Sequence, residues 1–255
     1  MLVCGVICEY DPFHNGHAYH LRAVREKTGC DYIVCAMSGH FTQRGRAALV
    51  DKWARAQMAL LSGADAVFEL PALFAVRDAE RFARGGVALL HALGVVTHLG
   101  FGSETGELAK LFALARAAEA PETIRRGLAK GQTLARARGE AMGFSDGAPN
   151  DALAAEYVKA IDRFARGMEP VAIRRLGGGY HDPAMGGMAS ATAVRAALSR
   201  GEDVSGAMPE AAHAVLRERL SEGACQQEGA LDTALLFMLR TMTPEGLRRI
   251  ADVGE

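Results

Sequence analysis

The chain has 255 residues, 49% hydrophobic and 23% charged, with a formal net charge of −1. That composition describes a folded chain able to bury a sizeable core and excludes disorder, and the near-neutral charge excludes a global basic field, so any polyanion site must be local. Five cysteines, Cys4, Cys8, Cys30, Cys35 and Cys225, contain no Cys-x-x-Cys pair and are odd in number, which argues against a disulfide framework and fits a reducing cytoplasm.

No apolar run is long enough for a membrane span, and the N-terminal run lacks the basic flank of a signal peptide. The first four cysteines read as small core residues. The run Leu2 to Ile7 predicts a short buried strand that ends at Asp11-Pro12, because proline has no ladder donor and disfavours helix before itself. Ala18, Leu21 and Val24 then recur at helical spacing. Asn15, Gly16 and His17 therefore fall at a helix start, where open N–H groups and the macrodipole favour an anion, with His14 and His17 as flanking donors able to gain charge beside a polyphosphate. A zinc pair is the other functional reading, but helical ligands usually sit four apart and no third ligand is near.

Asp31 to Met37 predicts a second strand, followed by a polar segment from Ser38 to Arg46 that reads as an active-site loop or a plain surface connection. Asp51 is placed to cap a helix through Ala54, Met58 and Leu61, with Trp53 expected in the core and Arg55 reaching outward. Ala64 to Leu70 predicts a third strand, Phe82 to Leu93 a helix, and Val95 to Phe101 a fourth strand stopped by Gly102-Ser103-Glu104. Alternating strands and helices imply a parallel sheet with right-handed crossovers and ligands at the carboxyl ends of the strands.

Glu107 to Glu140 is helical and basic, with Arg116, Arg125, Arg126, Lys130, Arg136 and Arg138, which describes a solvated face as readily as a nucleic-acid contact. Pro149-Asn150-Asp151 opens a helix through Tyr157 and Ile161, and Pro170 to Arg175 predicts a fifth strand leading to Gly177-Gly178-Gly179-Tyr180-His181-Asp182, a loop that a phosphate could approach. Ser190-Ala191-Thr192 opens a further helix carrying Arg195, either as a second anion-binding start or as a simple cap. From about Pro209 only amphipathic helices remain.

His14-Asn15-Gly16-His17 after a strand, with Ser190 and Arg195 far downstream, resembles the HIGH-type nucleotidyltransferase superfamily. Glu9-Tyr10, Pro12-Phe13, Phe41-Thr42-Gln43-Arg44-Gly45, Val50-Asp51-Lys52-Trp53-Ala54-Arg55, Glu69-Leu70-Pro71 and Phe101-Gly102-Ser103-Glu104 bring it closer to the bacterial tRNA(Met) cytidine acetate ligase family. That resemblance implies a Rossmann-like parallel α/β domain over residues 1–204, with a helical insertion at about 105–165, and a helical C-terminal region over 205–255. It implies an enzyme that joins acetate to ATP, releases pyrophosphate and acetylates N4 of the wobble cytidine of elongator tRNA(Met), with Mg²⁺ accompanying ATP and no protein metal site. Catalytic roles would fall on His14, His17, Ser190 and Arg195. ATP contacts would fall on Ile7, Cys8, Glu9, Tyr10, Asp11, Pro12, Phe13, His14, Asn15, Gly16, His17, Ala18, Tyr19 and His20, and on Gly102, Asn150 and Arg175.

The chain departs from the family's pattern at Asp11 and His40, where asparagine is usual, and at Arg46-Ala47, where glutamate and proline are. A carboxylate at Asp11 would repel a polyphosphate unless it holds Mg²⁺ or points away. The family also continues past Ala251-Asp252-Val253, so acetate activation is expected to be stronger than RNA modification. A small-molecule nucleotidyltransferase and an inactive nucleotide-binding module stay open as alternatives.

Overall fold

The first strand, β1 (Val3–Cys8), is the centre of the sheet in the computed structural model, which describes residues 1–117, 121–131, 137, 149–175, 189–226 and 229–250. With β2 (Tyr32–Ser38), β3 (Ala66–Leu70), β4 (His98–Ser103) and β5 (Glu169–Arg174) it forms one sheet in the order β3-β2-β1-β4-β5, and every pairing is parallel. The chain winds outward from β1 through β2 to β3, then crosses back to lay β4 on the other side of β1. The carboxyl ends of β1 and β4 thus flank the point where strand order reverses, which is where an open α/β sheet makes its crevice.

Both faces are covered except along the edge strand β3, where Phe68 and Glu69 are exposed, which is why the central strands read as continuous apolar runs rather than alternating ones. Val3, Val34, Ala36, Leu99 and Phe101 face α4 (Ala79–Ala92) and α7 (Pro149–Phe164), which pack on each other, with α3 (Ala72–Ala75) against α4 and α5 (Leu108–Ala117) against α7. Cys4, Val6, Cys8, Ile33, Cys35 and Met37 face the other way, toward α1 (Asn15–Thr28), α2 (Lys52–Leu61), α8 (Ala191–Ser199) and α9 (Glu210–Ser221). The four early cysteines are buried thiols, as expected of core residues. Close approach between layers depends on glycine: a Cβ on Gly86 of α4 would sit 2.5 Å from Ile7 Cδ1, and one on Gly100 2.5 Å from Val24 Cγ2.

Further helices are α6 (Pro121–Ala129), α10 (Asp232–Thr241) and α11 (Pro244–Arg248). Arg136, Arg138 and the Gly177 to Asp182 loop lie outside the described residues.

Two expectations on α2 fail. Asp51 does cap it, accepting from Trp53 N at 2.8 Å and Ala54 N at 2.9 Å. But Trp53 is 73% exposed, not core, and Arg55 is completely buried, not outward. The buried face is Ala54, Arg55, Met58 and Ala59. A ten-residue helix gives too few apolar positions to fix its phase, and Arg55 faces inward because backbone carbonyls there accept its hydrogen bonds.

Candidate active site

At the end of β1 the chain turns through Tyr10, in the left-handed region at φ 49°, and a cis Asp11–Pro12 bond, then enters α1 at His14. His14 is the N-cap. Its Nδ1 accepts from Gly16 N at 3.0 Å, and His17 Nδ1 accepts from His14 N at 3.3 Å. This is a capping box in which two imidazoles replace the usual hydroxyl and carboxylate. It demands glycine at position 16, where a Cβ would meet His14 Cε1 at 2.8 Å. The two rings stack with centroids 3.7 Å apart, and Tyr10 and Phe13 flank His17 at 4.8 and 5.5 Å.

In the protein without nucleotide these histidines are held in the neutral state. Burial, then Arg175 and Arg195, bring His14 down to about 4. Burial, then His14, His20 and Arg175, push His17 well below its ordinary value. His20, one turn on, is brought down to about 4 by burial and Arg175. All three are neutral at pH 7. Because Nδ1 accepts in His14 and His17, the proton sits on Nε2, and that is the edge each can offer a ligand. The backbone donors are also less open than expected: His14 Nδ1 takes Gly16 N, and His14 O accepts from His17 N at 2.9 Å. What the site can offer an anion is therefore the Nε2–H edges and two guanidiniums.

Arg175, just past β5, is one of these. Its stem lies across Gly102, where a Cβ would be 3.4 Å from Arg175 Cγ, and its Nη1 donates to Asn150 Oδ1 at 3.4 Å. Asn150 Nδ2 donates to Glu104 Oε1 at 2.5 Å, and Asp151 N to Glu104 Oε2 at 2.7 Å. Buried Asp151 returns the favour, accepting from Glu104 N at 2.9 Å and from the Ser103 hydroxyl. Two carboxylates thus lock the end of β4 to the start of α7 and fix Asn150, and through it Arg175. Gly102, Asn150 and Arg175, far apart in sequence, meet beside the three histidines.

Arg195, the other guanidinium, comes from α8. Its Nη1 donates to the Asp11 carbonyl and lies 3.4 Å from Asp11 Oδ2, and its Nη2 donates to Thr192 Oγ1 at 3.0 Å. Asp11 also accepts from Arg46 Nη2 at 2.5 Å and from Leu49 N at 2.7 Å. Two departures from the family's pattern are therefore partners: Arg46 neutralises Asp11. With its oxygens taken by two arginines and an amide, Asp11 does not fit a metal, and among the described residues no group of three or more His, Cys, Asp or Glu could hold one.

The remaining residues of the run serve packing and anchoring. Tyr10, Pro12 and Phe13 are buried, Ile7 packs against the α4 side, Cys8 Sγ lies 3.8 Å from Ala36 O, and Ala18 joins the α1-side core. Glu9, its pKa raised by burial, accepts from Gln43 N at 2.5 Å. Asn15 Nδ2 donates to Gly206 O at 3.0 Å, and Tyr19 OH to Arg174 O at 3.4 Å. Ser190 caps α8, accepting from Ala193 N at 3.2 Å.

Sequence reasoning missed Arg55. Its guanidinium donates to Glu9 O, Val50 O, Ser38 O and Gly39 O, tying the turn after β1, the end of β2 and the start of α2 together. The segment after β2 is also more ordered than a plain loop. Phe41 and Ala47 bridge antiparallel, Thr42 N donates to Arg46 O at 3.0 Å and Ala48 N to His40 O at 2.9 Å, making a small hairpin turned at Gly45 (φ 77°).

A family model described as HIGH Nucleotidyl Transferase matches residues 1–255. The chain is 43% identical to the tRNA(Met) cytidine acetate ligase of Syntrophotalea carbinolica over 94% of its length and 61% of the relative's, and 39% identical to that of Halothermothrix orenii over 99% and 66%. Among solved structures, Thermotoga maritima TmcAL in an apo form superposes with a TM-score of 0.89 at 35% identity, covering 100% of this chain and 66% of that one. The same protein bound with alpha-thio ATP gives 0.87 at 34%, covering 100% and 65%. The chain thus spans about three fifths to two thirds of the length of these relatives.

Proposed function

The chain belongs to the HIGH nucleotidyl transferase family, and on that premise we propose that it activates acetate with ATP and passes the acetyl group to N4 of the wobble cytidine of elongator tRNA(Met). The observation that carries this reading is the convergence of His14, His17 and His20 with Arg175 and Arg195 beside Gly102 and Asn150, at the point where strand order reverses. The names of the relatives support the choice of acid and acceptor. A tRNA substrate sets the chemistry in the cytoplasm, and among the described residues no helix is long and apolar enough to cross a membrane.

In the first step an acetate oxygen attacks the α-phosphorus, the bond to the bridging oxygen breaks, and pyrophosphate leaves with the electron pair. His14 and His17 present Nε2–H to the phosphate oxygens, and Arg175 and Arg195 balance the charge that develops there. Mg²⁺ would be held by the phosphates themselves, since Asp11 is engaged by arginines. In the second step cytidine N4 attacks the acetyl carbon of the adenylate, AMP departs, and N4 gives up a proton. Ser190, as the cap of α8, orients the helix that carries Arg195. Neither step needs a protein nucleophile.

The test is acetate-dependent exchange of labelled pyrophosphate into ATP. The expected result is exchange with acetate and loss by about a hundredfold or more in His17→Ala, the usual scale for removing one donor aimed at a developing oxyanion. Near-normal exchange in that variant, with the protein folded, would sink the assignment of the site.

A further inference from the structure

The nucleotide-binding half of the sheet edge lies over β1, β4 and β5, and the other half, over β2 and β3, carries residues that this reading does not use. Trp53 is 73% exposed at the first turn of α2, and Phe41 is 41% exposed on the hairpin after β2. Both lie on the segments that follow β2, and Arg55 and Lys52 tie those segments to the turn after β1 and to the end of β3. Arg55, two residues after Trp53, donates to Gly39 O on one side and to Glu9 O on the other. Glu69, at the end of β3, lies so close to Gly39 that a Cβ there would be 2.4 Å from Glu69 Oε1, and Lys52 Nζ meets Glu69 Oε2 at 2.5 Å while sitting 5.2 Å from the centre of the Trp53 ring.

Trp53 and Phe41 are large aromatics exposed on a fixed helix and a hydrogen-bonded hairpin, beside a two-substrate site, and among the described residues nothing buries them. The charge around them that is not paired among the described residues is the exposed guanidinium of Arg44 at the hairpin turn, whereas Asp51 is spent on the helix cap and Glu69 on Lys52. An unpaired nucleobase has an apolar face for an aromatic ring and a phosphate for a guanidinium, and single-stranded loops are recognised by splaying bases onto such rings. Neighbouring strands lie about 5 Å apart, so β2 and β3 stand roughly 5 and 10 Å from β1, a span that one splayed nucleotide covers.

We propose that Trp53 and Phe41 form the stacking platform that receives unpaired bases of the acceptor RNA, with Arg44 at their phosphates. The two substrates then occupy opposite halves of one sheet edge, nucleotide over β1, β4 and β5 and RNA over β2 and β3, and they meet above β1. The inference rests on the proposed reaction and adds the surface by which its acceptor is held.

Trp53 is the sole tryptophan of the chain, so its fluorescence reports this face directly. The anticodon stem-loop RNA of elongator tRNA(Met), titrated into the protein, is expected to quench it, and a fully paired RNA duplex of the same length is not. Trp53→Ala is expected to raise the KM for the RNA roughly ten- to a hundredfold, the range of one lost stacking interaction, while Trp53→Phe restores most of it. Three results overturn the inference: equal quenching by the duplex, RNA acetylation in Trp53→Ala with wild-type KM, or a loss of acetate-dependent pyrophosphate exchange equal to the loss of RNA acetylation, which would make Trp53 merely structural. Absence of any RNA binding and acetylation by the wild-type protein overturns the proposed acceptor as well. RNA acetylation without quenching of Trp53 leaves the proposed function standing and overturns the stacking platform.

Discussion

Arg55 shows how one side chain can hold a site it does not touch. Its charge is buried and met almost entirely by main-chain carbonyls, from Glu9, Ser38, Gly39 and Val50, so removing it strands several acceptors at once. Arg55→Ala is expected to cost about 2–3 kcal/mol or more, because it leaves several buried carbonyls without their donor, each a cost of about 1–3 kcal/mol if unsatisfied. Arg55→Lys should recover only part of it, since an ammonium cannot reproduce the planar fork. Urea unfolding of the two variants checks both, and a loss below about 1 kcal/mol for Arg55→Ala would contradict the role. None of this was legible in the sequence, because backbone carbonyls leave no mark there and an arginine on an amphipathic helix is assigned to solvent by its charge. His14 and His17 were legible as a site through their spacing after a strand, but not as neutral rings, because their state depends on burial and on Arg175, more than 150 residues away.

At the scale of elements the sequence was far more open. The five strands fall within three residues of where apolar runs bounded by glycine, proline and serine put them, because a parallel sheet buried on both faces needs little else. The interlayer glycines were not legible, since a glycine in a helical pattern reads as a weakness. Gly86 in α4 is one. Helix propensity alone predicts that Gly86→Ala gains about 1 kcal/mol. The structure reverses the sign: the new Cβ would fall 2.5 Å from Ile7 Cδ1, with Ile7 Cγ1 and Cγ2 at 2.7 and 2.9 Å, so β1 and α4 must move apart. The expected outcome is destabilisation by about 1–3 kcal/mol, the cost of overpacking, read as a lower urea midpoint. An unchanged or higher midpoint would show that Ile7 can give way.

For the whole molecule, the cluster of neutral histidines makes stability depend on pH. His14 and His20 titrate at about 4 in the folded protein against an ordinary 6.5, so the unfolded chain binds protons that the folded one refuses. Their contribution is complete above pH 6.5 and is lost as pH falls toward 4, by about 1.4 kcal/mol per pH unit for each fully buried ring. Glu9, raised by burial, acts in the opposite sense over the window above its ordinary value. Unfolding free energy measured from pH 7 to 5 should therefore fall, and His14→Asn should flatten the slope; a slope unaffected by the variant would contradict the assignment. The order of the strands carries one more consequence, for the chain as it is made. Val3 pairs with Tyr32, but Cys4 must wait for His98, and β5 joins only at Glu169. Short loops close at less entropic cost, and a nascent chain offers its N-terminal part first. The half of the sheet that bears Trp53 can thus assemble during synthesis, whereas the half bearing Gly102 and Arg175 is the last to mature. The protein acquires its two faces in the reverse of the order in which the proposed reaction would use them.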